Sequence, residues 1–239
     1  MHISPDNVVL LQWGGVAINA TIVFTWAIML LLSLGSWLIT RRLSTSEELS
    51  RWQNLLEVLV DGMRKQIRQV SHQEPGQYLE FIGTLFLFIA SANILTIVPG
   101  YLPPTGSLST TAGLAACVFI AVPLYGVMHQ GLAGYLRHYL QPSLFMMPFN
   151  IIGEFSRTVA LAVRLFGNVM SGHMIVAILV SLMPLIFPII MQVFGLLTGL
   201  IQAYIFAVLA IVYIASAARS LNEKQRPDEH NDMEQEHYG

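Results

Sequence analysis

Arg164 is a permanently charged side chain in the middle of an apolar stretch, residues 158–168 (TVALAVRLFGN). An arginine at the centre of a membrane helix costs roughly 2.5–3.5 kcal/mol on insertion scales. Its pKa lies above about 12, so the chain cannot avoid this cost by releasing the proton. A charge this unfavourable predicts a function, and a fixed cation in lipid is suited to controlling an ion or an ionisable group.

Other polar residues recur on the same side of this predicted helix. At 100° per residue, those within about 60° of arc are Arg157, Arg164, Asn168 and Ser171. His173 comes nine positions after Arg164 and therefore falls on the opposite face. Its imidazole could relay a proton, and the alternative is a polar side chain that is simply satisfied within a helix bundle.

The two arginines differ in whether the sequence places an acidic residue near them. Glu154 lies about one turn before Arg157, so we expect these two side chains to form an ion pair. For Arg164, the sequence places no acid where it would neutralise the charge. The counter-charge of Arg164 is therefore expected to come from another subunit.

The next apolar segment carries two further sets of residues. One is a ridge of small residues that permits close helix approach, and the other supplies uncharged hydrogen-bonding groups. The ridge comprises Gly195, Gly199 and Ala203, and the polar set comprises Gln192, Thr198 and Gln202.

The composition requires a membrane around these segments. Hydrophobic residues make up 54% of the 239 residues and charged residues only 11%, against about 25% in soluble domains. The mean hydropathy is +0.61.

The net charge of −2 gives no indication of nucleic-acid binding. The sequence shows no phosphate-binding loop, and we expect no cofactor and no metal site.

Charge placement predicts the orientation. The first span, residues 16–40, is long enough to cross a ~30 Å hydrocarbon core and is followed by Arg41 and Arg42. Positive residues favour the cytoplasmic side, so we expect the N-terminus outside. No Lys or Arg precedes the span, which is unlike a cleaved secretory signal.

The remaining segments complete one polytopic domain, residues 1–239. Residues 44–71 predict an amphipathic helix at the cytoplasmic interface, either a surface anchor or a docking face for a partner. We predict a helix pair at residues 77–131 and a long tilted hairpin at residues 146–218. We predict a mobile charged tail on the cytoplasmic side at residues 222–239. The predicted fold is an all-α integral membrane protein with about five membrane helices.

The chain from about residue 148 to 217 resembles subunit a of F-type ATP synthases. The resemblance rests on residues 160–168 (ALAVRLFGN), 171–173 (SGH) and 201–206 (IQAYIF), and on the order of the spans. It is strong from about residue 148 to 217 and weaker before that. In this family, the essential arginine matches Arg164, the asparagine one turn later matches Asn168, and the glutamine of the last helix matches Gln202.

The resemblance implies a non-catalytic membrane subunit that forms two half-channels against a ring of c subunits. It also implies peripheral-stalk b subunits and the rest of the ATP synthase as partners, in the bacterial plasma membrane. Glu154 and Arg157 lie where an acidic inner-channel residue and a lysine are common. The expected ion-translocation residues are Arg164, Asn168, His173, Gln202, Glu154, Arg157 and Ser171.

Two departures leave the ion open. Many bacterial members have a glutamate at the position of His173 and a histidine at the position of Gly195, so this chain keeps one titratable side chain of the usual two. These features are similar to a divergent bacterial branch linked to Na+, so Na+ is the alternative to H+. A secondary transporter is a remote alternative, because no internal repeat is evident.

Overall fold

Five membrane helices form the body of the protein. The computed structural model describes residues 9–13, 16–41, 51–71, 76–98, 100–140, 146–182 and 187–219. Within these ranges, five helices are long and apolar enough to cross a membrane. The predicted class of an all-α membrane protein is therefore confirmed, while the tilt of the last two helices stays a prediction. The expected charged tail, 222–239, lies outside the described residues.

A short β-hairpin precedes the first membrane helix. β1 (Val9–Trp13) pairs antiparallel with β2 (Val16–Asn19), and α1 (Ala20–Thr40) follows directly. We expected the first span to begin at residue 16, and this boundary is wrong. The apolar and β-branched residues that suggested a helix at 16–19 also suit a paired strand.

α2 (Arg51–Ser71) is amphipathic and packs against the membrane helices. Ile67 on its apolar face is buried, and the Met63 sulfur comes close to Gly83 of the next helix. The opposite face is exposed and charged, with an ion pair of 2.8 Å between Lys65 and Asp61 that raises the pKa of the lysine. Residues 44–50, the expected start of this helix, lie outside the described residues.

The predicted helix pair corresponds to α3 (Gly76–Ile94) and α4 (Leu108–Leu140). Short 3-10 turns at Leu95–Ile97 and Pro104–Gly106 shape the connection between them. α4 continues past the expected end at residue 131, but Gly131 interrupts it with φ 73° and ψ 161°. Only glycine adopts this backbone conformation readily, so Gly131 divides α4 into a long membrane part and a short continuation.

The loop between α3 and α4 is fixed to α1 by an aromatic contact. The rings of Phe24 and Tyr101 meet edge to face with centroids 5.0 Å apart. The Tyr101 hydroxyl is buried and makes no hydrogen bond within the described part of the chain, and this burial raises the pKa of the phenol.

The last two helices are α5 (Met146–Leu182) and α6 (Phe187–Arg219). Pro188 is the second residue of α6. A backbone N–H at this position would have no acceptor within the helix, so proline costs no hydrogen bond there. α6 packs against α3, α4 and α5, and its buried face supplies much of the core. The buried residues of that face include Ala203, Phe206, Ala207, Ala210, Ile211 and Ile214.

Candidate functional site

Arg164 projects from the outside of the helix bundle. α5 buries Leu161 and Leu165 on its inner face, and Arg164 lies on the exposed side of the same turn. The surrounding span, Pro148–Ser181, has a mean hydropathy of 1.6. The guanidinium therefore lies deep within an apolar segment and points away from the protein core.

No acid in the described part of the chain neutralises this charge. Arg164 takes part in no ion pair or hydrogen bond with the residues that the structure describes. An unpaired charge in a low-dielectric environment is costly, since neither water nor an opposite charge compensates it.

Asn168 and Ser171 continue the polar stripe and connect it to α6. The Asn168 side chain is half-buried, and its Nδ2 donates to the Thr198 carbonyl at 3.4 Å. Ser171 is exposed, and its hydroxyl donates to the Asn168 carbonyl at 3.1 Å. Each of these two side chains thus donates one hydrogen bond to a backbone carbonyl of the chain, and neither of these bonds involves Arg164.

Arg157 departs from the expected pairing. We expected an ion pair with Glu154, but the described side chains form none. Instead, the Arg157 guanidinium lies over the Tyr213 ring, 5.7 Å from its centroid. The aromatic face of α6 competes with the carboxylate for this cation. The local spacing on α5 could not reveal this contact because Tyr213 lies on another helix.

A small cavity opens beside these residues, between α4, α5 and α6. The residues that line it and carry polar side chains are Glu154, Arg157, Thr158, Tyr213 and Ser216. The apolar wall comes from α4. The cavity volume open to water is about 20 Å³, which is room for about one water molecule. It is therefore a polar recess on the same helix as Arg164, about two turns from it.

His173 and Gln202 are less exposed than the arginines. His173 is half-buried on α5. Gln202 is 6% exposed, and its Nε2 finds no acceptor among the described residues. The resemblance implies that Gln202 is an ion-translocation residue, and the structure places its side chain inside the bundle. A buried donor without an acceptor is uncommon and marks this amide as a functional candidate.

One glycine of α5 and one of α6 have no close neighbours. A β-carbon built at Gly172 or at Gly195 would meet no atom within 4 Å. Gly195 lies one turn from Thr198, the residue whose carbonyl accepts Asn168. Gly195 therefore lies beside the end of the polar stripe without close packing against it.

Sequence reasoning did not single out Asn93. Its side chain is 4% exposed at the end of α3, and its Nδ2 donates to the Gly199 carbonyl at 2.9 Å. Its Oδ1 accepts a hydrogen bond from Thr105 at 3.3 Å. The sequence did contain one indication of this contact, because the amide of Asn93 lies within an apolar span and requires a hydrogen-bond partner there. The partner, however, is 106 positions away.

Metal-ligating residues do not cluster in the described part of the protein. No group of three or more His, Cys, Asp or Glu side chains is close enough there to hold a metal ion.

Fold and site together define a multi-pass helical membrane protein with an uncompensated arginine directed outward from its last helix pair. Residues 22–215 match the family described as ATP synthase A chain. ATP synthase subunit a of Albidiferax ferrireducens is 59% identical over 96% of this chain and 99% of the relative. ATP synthase subunit a 1 of Chlorobaculum parvum is 62% identical over 92% and 97% of the two chains.

The chain belongs to the ATP synthase subunit a family. It is a non-catalytic, multi-pass membrane subunit of the F-type ATP synthase and works with the rest of that complex.

The contact at Gly199 generates a prediction about stability. In a Gly199→Ala variant, the new β-carbon would lie 2.9 Å from the Asn93 Cγ. Overpacking of this kind costs typically about 1–3 kcal/mol, so we expect a lower midpoint of thermal unfolding for the purified complex. Gly195→Ala is the matched control on the same helix, because open space surrounds that position. Equal midpoints for the two variants would contradict the close contact.

Proposed function

We propose that this chain is the ion-translocating stator of a rotary motor, which faces a ring of c subunits and couples H+ flow to ATP synthesis or hydrolysis. The observation that carries the proposal is the exposed, unpaired Arg164 within an apolar span. A charge at this depth needs a counter-charge, and the described residues supply none. A carboxylate carried by a ring subunit would supply it.

Arg164 gives a physical route to coupling. A ring carboxylate crosses lipid as a neutral, ion-loaded group, because a bare anion there is too costly. Beside Arg164, the opposite charge favours the ionised form of that carboxylate. The carried ion therefore leaves before the encounter, and another ion binds after it. The driving force is about 2.3 kcal/mol per charge for each 100 mV.

The same cation separates two half-channels. It repels a mobile cation that would otherwise pass directly from one side of the membrane to the other. Ion flow is then coupled to rotation, because the ring carboxylates provide the remaining path. Asn168, one turn away, supports this role by linking the arginine-bearing helix to α6.

The polar recess beside Arg157 supports an inner half-channel. Because Arg157 lies over Tyr213, it forms no ion pair with Glu154, and that carboxylate remains available to attract a cation. Thr158 and Ser216 add hydroxyl groups to the same recess. A polar lining of this kind can hold water and pass an ion toward the ring.

The opposite end of the hairpin supports an outer half-channel. Ser171 is exposed and His173 is half-buried there, and open space surrounds Gly195. Water can occupy space of this kind where polar groups line it. The interior amide of Gln202 adds a hydrogen-bond donor at a level of the membrane close to that of Arg164.

The remaining partners and the membrane orientation follow from charge. The exposed charged face of α2 is our candidate contact for peripheral-stalk b subunits at the cytoplasmic surface of a bacterial plasma membrane. Arg41, whose guanidinium lies 5.0 Å from the Trp37 ring centroid, marks the cytoplasmic end of α1. With five spans, we expect the N-terminus outside and the C-terminus inside.

The central prediction concerns Arg164. Arg164→Ala should reduce ATP-driven ion uptake into reconstituted vesicles to background, because a ring carboxylate would no longer be held ionised at the interface. Arg164→Lys should fail nearly as badly, since a lysine lacks the planar guanidinium and can release its proton in an apolar site.

Arg157→Ala is the matched control on the same helix. It loses an aromatic contact worth about 0.5–1 kcal/mol, so we expect at most a several-fold decrease in uptake. Near-normal uptake by Arg164→Ala would refute the stator assignment.

His173 and the identity of the ion are tested together. If H+ is the ion, His173→Leu should slow uptake without reducing the amount of assembled complex, because the imidazole relays protons. Uptake by the unmodified complex should then follow pH and not Na+ concentration. Uptake that rises with Na+ at fixed pH would favour the Na+ alternative. An unaffected His173→Leu variant would leave this histidine with a structural role only.

The orientation is tested by single cysteines in a Cys117→Ser background. Gly62 on α2 and Val98 after α3 are both exposed and can each be changed to cysteine. A membrane-impermeant maleimide should label position 62 only from the cytoplasmic side and position 98 only from outside. The reverse pattern would contradict the proposed topology.

A further inference from the structure

Two asparagines bind consecutive carbonyls of α6. Asn168 of α5 donates to the carbonyl of Thr198, and Asn93 of α3 donates to the carbonyl of Gly199. Successive residues on a helix point about 100° apart. α6 is therefore held at one level from two sides, by the helix that carries Arg164 and by α3.

The contact between Asn93 and α6 is unusually close. A β-carbon at position 199 would lie 2.9 Å from the Asn93 Cγ and 3.0 Å from its Cβ. The side chain thus lies directly on the backbone of α6, and only glycine leaves room for it. Helices in membranes approach each other most closely at residues of this kind.

Asn93 is itself held in place. Its Oδ1 accepts from Thr105, which is fully buried in the loop between α3 and α4, and its own carbonyl accepts from Thr96. A further bond runs from Gln192 of α6 to the carbonyl of Thr96, in the 3-10 turn that follows α3, at 2.9 Å. The end of α3, the loop and α6 therefore form one connected polar unit.

We propose that Asn93 is a positioning residue for ion translocation, which sets the height and rotation of α6 and, through Asn168, the position of Arg164. This inference rests on the proposed function. It adds a residue that lies on neither of the two helices facing the ring. Asn93 acts through α6 and does not itself contact the transported ion.

The physical basis is that a hydrogen bond fixes the position of a helix more sharply than apolar packing does. Neighbouring carbonyls on a helix are separated by a rise of about 1.5 Å, so an amide on one carbonyl excludes a shift by one residue. The buried face of α6 is largely alanine and isoleucine, which fix helix height less sharply. A functional side chain needs its geometry held to within about 0.5 Å.

A disulfide can replace the hydrogen bond. In a Cys117→Ser background, Asn93→Cys combined with Gly199→Cys removes both the amide and the glycine. The two β-carbons start 3.0 Å apart, against about 3.5–4.5 Å in disulfides, so the shortest disulfide geometry needs α3 and α6 to separate by about 0.5 Å, which is the limit of that tolerance. The probe is reversible, and the oxidised and reduced forms are compared in one preparation of the assembled complex.

The readout is the ratio of ATP-driven ion uptake to ATP hydrolysis in reconstituted vesicles. We expect the reduced double-cysteine complex to show roughly a tenfold lower ratio than the parent, as for the loss of a buried hydrogen bond at a site that needs it. Oxidation should restore most of the ratio, and renewed reduction should remove it again. Differences in assembly cancel, because both measurements use the same molecules.

Two results would overturn the proposal. A reduced complex that couples as well as the parent would show that the contact does not matter. An oxidised complex that remains as poor as the reduced one would show that transport needs the Asn93 amide itself and not the position of α6. Arg164→Ala in the same background is a separate arm, and uptake there would refute the proposed function while leaving the redox comparison valid.

Discussion

The rest of the structure depends on placing one unpaired charge within an apolar layer. Arg164 lies on the outside of α5 in a span of mean hydropathy 1.6, and no described residue compensates it. The cost of such a charge falls only when a partner brings the opposite charge close. The surrounding helices therefore have to hold the guanidinium at a fixed level while leaving its outer side free.

α6 provides that rigidity because it packs against α3, α4 and α5. Apolar side chains gain little from leaving lipid for protein, so close packing and hydrogen bonds between helices carry much of the association. The bonds from Asn93 and Asn168 to successive carbonyls of α6 illustrate this, since neither requires a side-chain partner on α6. The glycine at position 199 permits the closer of these two contacts.

Local periodicity was enough to predict the five spans and to single out Arg164, because hydropathy and helical spacing act within one segment. It could not predict contacts between segments. Arg157 lies over Tyr213 and not beside Glu154, and Asn93 finds its acceptor 106 positions away. The start of α1 was also misplaced, because residues 16–19 are apolar enough for a helix yet pair with β1.

Two glycines one turn apart on α6 have opposite roles, and this contrast explains how one helix combines rigidity with access. The Asn93 side chain occupies the space beside Gly199, whereas open space surrounds Gly195. A larger residue at position 199 would push α3 away, but a β-carbon at position 195 would meet no atom within 4 Å. The side of α6 that faces α3 is thus tightly fixed, while the region beside Ser171 remains open. Under the proposed function, ions can approach the hairpin without loosening the contacts that hold Arg164.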